Sequence, residues 1–231
     1  MKVKICGITR PEDALMAVDA GADMLGLNFY AKSKRFIAVD AARQIAEVLR
    51  QHLGDRCPLL IGVFVNAAAE EIRTIAEAVK LDGVQLSGDE TPDVLTRIGA
   101  HAFKGLRPFD AVQAVDQVKQ YGAHPVDDHL PSLLLDAYHP GAYGGTGLQV
   151  DLPLALSVRD ATARLMLAGG LTPDNVAEVV AQVRPWGVDV ASGVEDGVAG
   201  LKSEAKTRAF IRNARSALAE SAATGEAGLK P

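Results

Sequence analysis

A thiol, a carboxyl group, an arginine and a set of glycine turns are the residues of this chain that could do chemistry on a small anionic molecule. Cys6 ends the run Val3-Lys4-Ile5-Cys6 and precedes Gly7, so it is either a small buried hydrophobe or a reactive thiol. In an extended strand Lys4 and Cys6 share one face and Val3 and Ile5 the other. A cation beside a thiol favours the thiolate, which could then act as a base. Asp136 ends Leu133-Leu134-Leu135-Asp136, where partial desolvation should raise its pKa and suit it to general-acid work; the alternative is a capping or loop-stabilising carboxylate. An acid and a base on opposite walls can move protons within a bound molecule without a cofactor.

The glycine turns point to the ligand. Ala168-Gly169-Gly170-Leu171-Thr172 and Ala191-Ser192-Gly193-Val194-Glu195 are either ordinary tight turns or places where backbone N–H groups can approach an anion, which implies a phosphorylated substrate. A third cluster, Gly141-Ala142-Tyr143-Gly144-Gly145-Thr146-Gly147, has neither the lysine nor the strand-to-helix context of a Walker loop and reads as a lid or a wall of the phosphate site. Asp189 shares its strand face with Ala191 and is expected to pair with Lys4, because a lone buried charge is costly. The histidines form no ligand set and Cys6 and Cys57 lack metal-ligand spacing, so no metal is assigned and both cysteines are expected as free thiols.

These residues need a scaffold. Runs rich in Val, Ile and Leu predict strands at Val3 to Gly7, Met24 to Phe29, Leu59 to Val65, Gly83 to Leu86, Ala102 to Arg107, Ser132 to Ala137, Arg164 to Ala168 and Val188 to Ser192. Helices are expected at Pro11 to Ala20, Val39 to His52, Ala67 to Val79, Pro92 to Ile98, Asp110 to Gln120, Leu152 to Val158, Asp174 to Val183 and Glu204 to Glu220. Pro153 and its short span make the sixth the weakest of them. Thr9, Thr91 and Thr172 precede early prolines and could cap their helices. Leu133-Leu134-Leu135 is apolar on both parities, as in a parallel sheet covered by helices. Eight strand-helix units without a composition break predict a single-domain (β/α)8 TIM barrel over residues 1–219, with 220–231 (ESAATGEAGLKP) as a disordered tail. In that architecture the site lies at the carboxyl ends of the strands, where Cys6, Arg35, Asn66, Gln85, Arg107 and Asp136 fall; the loops after strands 7 and 8 commonly hold phosphate.

The composition is that of a folded domain: 231 residues, 48% apolar and 23% charged. With 24 basic against 29 acidic residues the formal charge is -5, so no global basic field exists to hold nucleic acid or an anionic membrane. No apolar run approaches the roughly 18 to 20 residues of a membrane span, and MKVKICGITR moves straight into a strand pattern, so a cytoplasmic protein is expected.

Six ordered segments resemble a known family: Lys4-Ile5-Cys6-Gly7-Ile8-Thr9, Gly62-Val63-Phe64-Val65-Asn66, Val84-Gln85-Leu86, Leu135-Asp136-Ala137-Tyr138 with Gly144-Gly145-Thr146-Gly147, Leu167-Ala168-Gly169-Gly170-Leu171-Thr172-Pro173, and Val188-Asp189-Val190-Ala191-Ser192-Gly193-Val194-Glu195. From Lys2 to about Arg212 the chain is similar to the phosphoribosylanthranilate isomerases of tryptophan biosynthesis. The resemblance implies an Amadori rearrangement of N-(5′-phosphoribosyl)anthranilate to 1-(o-carboxyphenylamino)-1-deoxyribulose 5-phosphate without metal or cofactor. Asp136 would protonate the furanose ring oxygen and Cys6 would remove the C2′ proton. Arg35 would meet the anthranilate end, with Gln85, Gly144, Gly145, Gly169, Gly170, Ser192 and Gly193 completing the substrate site. Two departures stand out. Ala31 and Lys34 occupy positions where the family usually has prolines, leaving the Arg35 loop less restricted, and Ser87 stands where it usually has histidine. The rival expectations are another phosphosugar isomerase of amino-acid biosynthesis and a non-catalytic phosphosugar-binding barrel. The histidine-pathway isomerase usually has aspartate where Cys6 stands, and a mere binder would need neither Cys6 nor Asp136.

Overall fold

Side-chain alternation along the first strand dictates how the sheet is covered. Val3 and Ile5 are fully buried against Ala14 and Ala17 of one helix and Phe210 of another, while Lys4 and Cys6 turn the opposite way. The computed structural model describes residues 1–137 and 151–226, with side chains through residue 217. Gly144 and Gly145 lie outside the described residues.

The strands are β1 (Lys2–Cys6), β2 (Met24–Asn28), β3 (Leu59–Phe64), β4 (Gly83–Leu86), β5 (Ala102–Leu106), β6 (Leu133–Leu135), β7 (Leu165–Leu167) and β8 (Gly187–Val190). The helices are α1 (Pro11–Asp19), α2 (Val39–Leu53), α3 (Ala69–Val79), α4 (Pro92–Ile98), α5 (Ala111–Tyr121), α6 (Leu152–Asp160), α7 (Val176–Val183) and α8 (Glu204–Glu226). Each strand pairs in parallel with the next, and β1 pairs with β8 with Lys4 opposite Asp189, closing the expected (β/α)8 barrel. Helix packing follows the 3.6-residue period: α2 buries Ala42, Ile45, Ala46 and Leu49 on one stripe. Inside the ring, Met24, Ile61, Phe103, Leu130, Leu134 and Met166 form an apolar plug, with Trp186 packed against it. The polar interior residues sit above this plug, toward the carboxyl ends of the strands. Among the described residues no helix is long and apolar enough to cross a membrane.

Several local details differ from expectation. The weakest expected helix is a full α6, because Asp151 accepts a hydrogen bond from the Leu154 N–H (2.9 Å) and Pro153 sits in the first turn, where its missing N–H is harmless. Of the three threonines expected as caps, Thr172 accepts the Asp174 N–H (3.3 Å) ahead of its helix, but the other two do not cap. Thr9 donates its hydroxyl to the Gly200 carbonyl (3.0 Å), and Thr91 stands at the start of α4 without a side-chain cap bond. Proline in the first turn already removes one orphan donor and fixes φ, so these helices start without the extra bond. Helix α7 begins later than expected, after Asn175 has accepted a bond from the Thr172 N–H (2.8 Å). The eighth strand stops at Val190, and Ser192–Val194 form a 3-10 turn instead of extended chain. Helix α8 continues beyond Glu220, through Ala222 and Ala223, which have high helix propensity.

Candidate active site

The apolar plug ends one layer below a cleft of about 590 Å³ at the carboxyl ends of the strands, lined by Cys6, Arg35, Gln85, Arg107, Asp136 and Asp189, among others. Cys6, the last residue of β1, faces into it. Gly26 on β2 makes room: a Cβ there would lie 2.7 Å from the Cys6 Sγ and 3.1 Å from the Lys4 Nζ.

Lys4 is completely buried, and its Nζ donates to Gln85 Oε1 (2.9 Å) and pairs with Asp189 Oδ1 (3.1 Å). The expected Lys4–Asp189 pair is therefore present. Burial works against the ammonium, but the charge of Asp189 and the adjacent thiol outweigh it and hold the Lys4 pKa above its ordinary value. Lys4 does pull the thiol pKa down as expected, but it does not decide the net shift. Burial pushes the Cys6 thiol up, and the Lys4 charge, already shared with Asp189, pulls it down by less. That net rise favours the protonated thiol at neutral pH. Gln85 also donates from Nε2 to Ser87 Oγ (3.0 Å), so the serine at the departing position ties down the amide that receives Lys4.

Asp136 follows β6 and accepts one bond from the Ala137 N–H (2.8 Å). Burial, and then the charge of Asp189, raise its pKa to about 6, against weaker opposing pulls from that backbone bond, Arg107 and Lys4. The site thus holds a carboxyl group that titrates near neutrality, as the apolar approach of β6 led one to expect.

The two glycine turns meet beside the cleft. A Cβ on Gly193 would fall 1.9 Å from the Leu171 carbonyl oxygen, so only glycine lets the turn after β8 lie against the turn after β7. Gly169 and Gly170 both have positive φ, +94° and +62°. Gly169 flanks Asp136, and Ala191, which lines the cleft, leads into Ser192 and Gly193. Sequence-distant Gly169, Gly170, Ser192 and Gly193 are thereby brought together.

Arg35 reaches the cleft from the loop after β2, beside the turn after β8. Its stem crosses Gly7, where a Cβ would sit 2.4 Å from the Arg35 Cδ. Its Nε and Nη2 grip Glu195 Oε1 and Oε2 at 2.6 and 2.8 Å. The loop lacking two prolines is held otherwise: Ser33 N–H donates to the Tyr30 carbonyl (2.8 Å), Arg35 N–H donates to Ser33 Oγ (3.1 Å), and Phe36 bridges to Asn28.

Asn66 does not join the cleft. In a left-handed conformation (φ 55°), it donates its N–H to Glu90 Oε1 (2.7 Å) and accepts the Asp89 N–H (2.7 Å), shaping the loop between β4 and α4. Three residues near the site carried no assigned role in the sequence. Asn28 lines the cleft and shares strand parity with Met24 and Gly26, a signal that was available. Glu195 stood in the last family segment without a partner to give it meaning. Lys202, buried beside Glu195, had no sequence signal.

Residues 3–213 match the family described as N-(5'phosphoribosyl)anthranilate (PRA) isomerase. The chain belongs to the phosphoribosylanthranilate isomerase family. It is 44% identical over 218 residues to the N-(5'-phosphoribosyl)anthranilate isomerase of Trichlorobacter lovleyi, covering 94% of this chain and 100% of that one. It is 48% identical over 219 residues to the Roseiflexus castenholzii enzyme, covering 94% and 99%. Among solved structures it resembles phosphoribosyl anthranilate isomerase from Thermotoga maritima, with TM-score 0.81 and 36% identity over 94% of this chain and 99% of that one. A phosphoribosyl anthranilate isomerase in complex with reduced 1-(o-carboxyphenylamino)-1-deoxyribulose 5-phosphate aligns with TM-score 0.79 and 35% identity, covering 94% and 99%. The site of this family member sits at one end of a closed parallel barrel.

Proposed function

We propose that the chain catalyses the Amadori rearrangement of N-(5′-phosphoribosyl)anthranilate in tryptophan biosynthesis, with Asp136 as general acid and Cys6 as general base. Protonated Asp136 delivers its proton to the furanose ring oxygen as the C1′–O bond breaks, and the anthranilate nitrogen lone pair forms the C1′=N bond of a cationic Schiff base. Cys6 thiolate then takes the C2′ proton; the C2′–H electrons form C1′=C2′ and those of C1′=N return to nitrogen. The resulting enolamine tautomerises to the ketone.

The raised thiol pKa leaves the resting site with Cys6 protonated and Asp136 largely ionised at neutral pH. The productive pair has the same total charge, with one proton moved from sulfur to carboxyl. A cationic Schiff base forming beside the sulfur favours the thiolate at the step that needs it. Arg35 receives the anthranilate carboxylate, Gln85 on the cleft wall meets the substrate while holding the buried Lys4 beneath it, and the turns at Gly169, Gly170, Ser192 and Gly193 receive the phosphate. The enzyme works in the cytoplasm on a small phosphosugar.

The supporting observation is that Cys6 and Asp136 line one cleft, with Arg35 on its wall and interlocked glycine turns beside it. The direct test is anthranilate fluorescence: freshly made phosphoribosylanthranilate should lose its signal when the purified protein is added. Persistence of the signal at micromolar enzyme would reject the activity. Turnover by Cys6→Ala or Asp136→Asn within a few-fold of the parent would reject that residue's role.

A further inference from the structure

Glu195 and Lys202, which the reaction scheme does not use, form a buried cluster with Arg35. Glu195 is 7% exposed, yet both its carboxylate oxygens are engaged: Oε1 by Arg35 Nε (2.6 Å), Lys202 Nζ (3.1 Å) and the Gly200 N–H (2.8 Å), and Oε2 by Arg35 Nη2 (2.8 Å). Lys202 Nζ also donates to the carbonyl of Ala191 (3.0 Å), the residue before the Ser192-Gly193 turn. The Arg35–Glu195 pair thus ties the arginine loop after β2 to the turn after β8, 160 residues away in sequence.

A guanidinium has two forked edges. The Nε and Nη2 side is occupied by Glu195, so only the end formed by Nη1 and the outer N–H of Nη2 remains for a ligand. Arg35 and Lys202 carry two positive charges against the single negative charge of Glu195, leaving one positive charge, matched to one carboxylate. We infer that Glu195 is the positioning residue that fixes Arg35 end-on toward the substrate carboxylate, with Lys202 holding Glu195 in place. The inference rests on the assignment of Arg35 to the anthranilate carboxylate proposed above.

The test is binding of the reduced product, 1-(o-carboxyphenylamino)-1-deoxyribulose 5-phosphate with its ketone reduced, and of the same compound lacking the ring carboxylate. Glu195→Gln should weaken the carboxylated compound by about tenfold or more, the size of a lost charge-assisted hydrogen bond, and leave the decarboxylated one within about twofold. Glu195→Asp should recover part of the loss. A general loosening of the fold would weaken both ligands alike and overturn the inference, as would unchanged affinity for both. Should Glu195→Gln fail to fold because Lys202 is left without a countercharge, Glu195→Gln/Lys202→Met removes both partners and must give the same selective loss. If the parent protein itself binds both compounds equally, the carboxylate assignment of Arg35 fails first, and turnover by the parent separates that failure from failure of the activity.

Discussion

Asp136 Oδ1 lies 3.2 Å from where a Cβ on Gly169 would stand, and the Ala137 N–H that bonds this carboxyl group would be only 2.7 Å away. The proposed acid and the first glycine of the phosphate turn are packed so closely that neither can change alone. Gly169 also has φ +94°, where L side chains are strained. Gly169→Ala should therefore destabilise the protein by about 1–3 kcal/mol and lower kcat as well as phosphate affinity. Urea unfolding and steady-state kinetics on the variant check both effects; a fall in affinity alone would mean that Asp136 is positioned independently of the turn.

Asp136→Asn should exchange activity for stability. The native carboxyl pKa is raised from 3.8 to about 6, so the native state holds its proton more tightly than the unfolded chain. That contribution is fully present below the ordinary pKa and is lost as pH rises through about 6. Asparagine keeps an acceptor for Ala137 and never ionises. At pH 8 the variant should be more stable than the parent by about 3 kcal/mol, with no difference well below pH 4. Turnover should fall by about 10²–10⁴-fold. Unfolding curves at the two pH values, beside the fluorescence assay, give both readings.

Cys6 should be a slow nucleophile at neutral pH. In a Cys57→Ser background, alkylation by iodoacetamide should rise with pH through a midpoint above the ordinary thiol pKa of about 8.5, because burial outweighs the pull of Lys4. Lys4→Met should move that midpoint higher still. A midpoint near 7 in the parent would show that the lysine prevails over burial.

Removing Lys4 should also expose what it neutralises. Lys4→Met leaves the carboxylate of Asp189, 8% exposed, without its countercharge and should cost about 3–5 kcal/mol. Lys4→Met/Asp189→Leu should recover much of that loss. Chemical denaturation of the two variants decides it; equal stabilities would mean that Asp189 finds another partner.

Gly193→Ala should separate binding from chemistry. Its Cβ would press on the Leu171 carbonyl at 1.9 Å and force the two turns apart at Leu171, two residues beyond the Gly169 that packs on Asp136. KM for the phosphorylated substrate should rise by about tenfold or more, with a smaller change in kcat. A fall in kcat alone would place the turn in the chemical step.

The barrel was legible because the pattern repeats: each apolar run bounded by turn residues could be read alone, and the strand parity that separates Lys4 and Cys6 from Val3 and Ile5 is a local property. The Lys4–Asp189 pair followed from the same parity plus the cost of a lone buried charge. What stayed hidden depends on three-dimensional neighbours. Thr9 could not reveal that Gly200 would take its hydroxyl, and residue type alone could not weigh burial of Cys6 against the charge of Lys4. Arg35 was found from its motif, but its engagement by Glu195, itself held by Lys202, arises only where the second and eighth loops meet.

The seam between β1 and β8 also bears on synthesis. A nascent chain leaving the ribosome with its first seven strands carries Lys4 but not Asp189, the partner that arrives 185 residues later. Until then the ring has no place to hide that ammonium, and Glu195 is not there to restrain Arg35. Closure and assembly of the cleft are thus one late event, and translation arrested before the final strand would leave an open intermediate with unpaired strand edges, a substrate for chaperones instead of an enzyme of reduced rate.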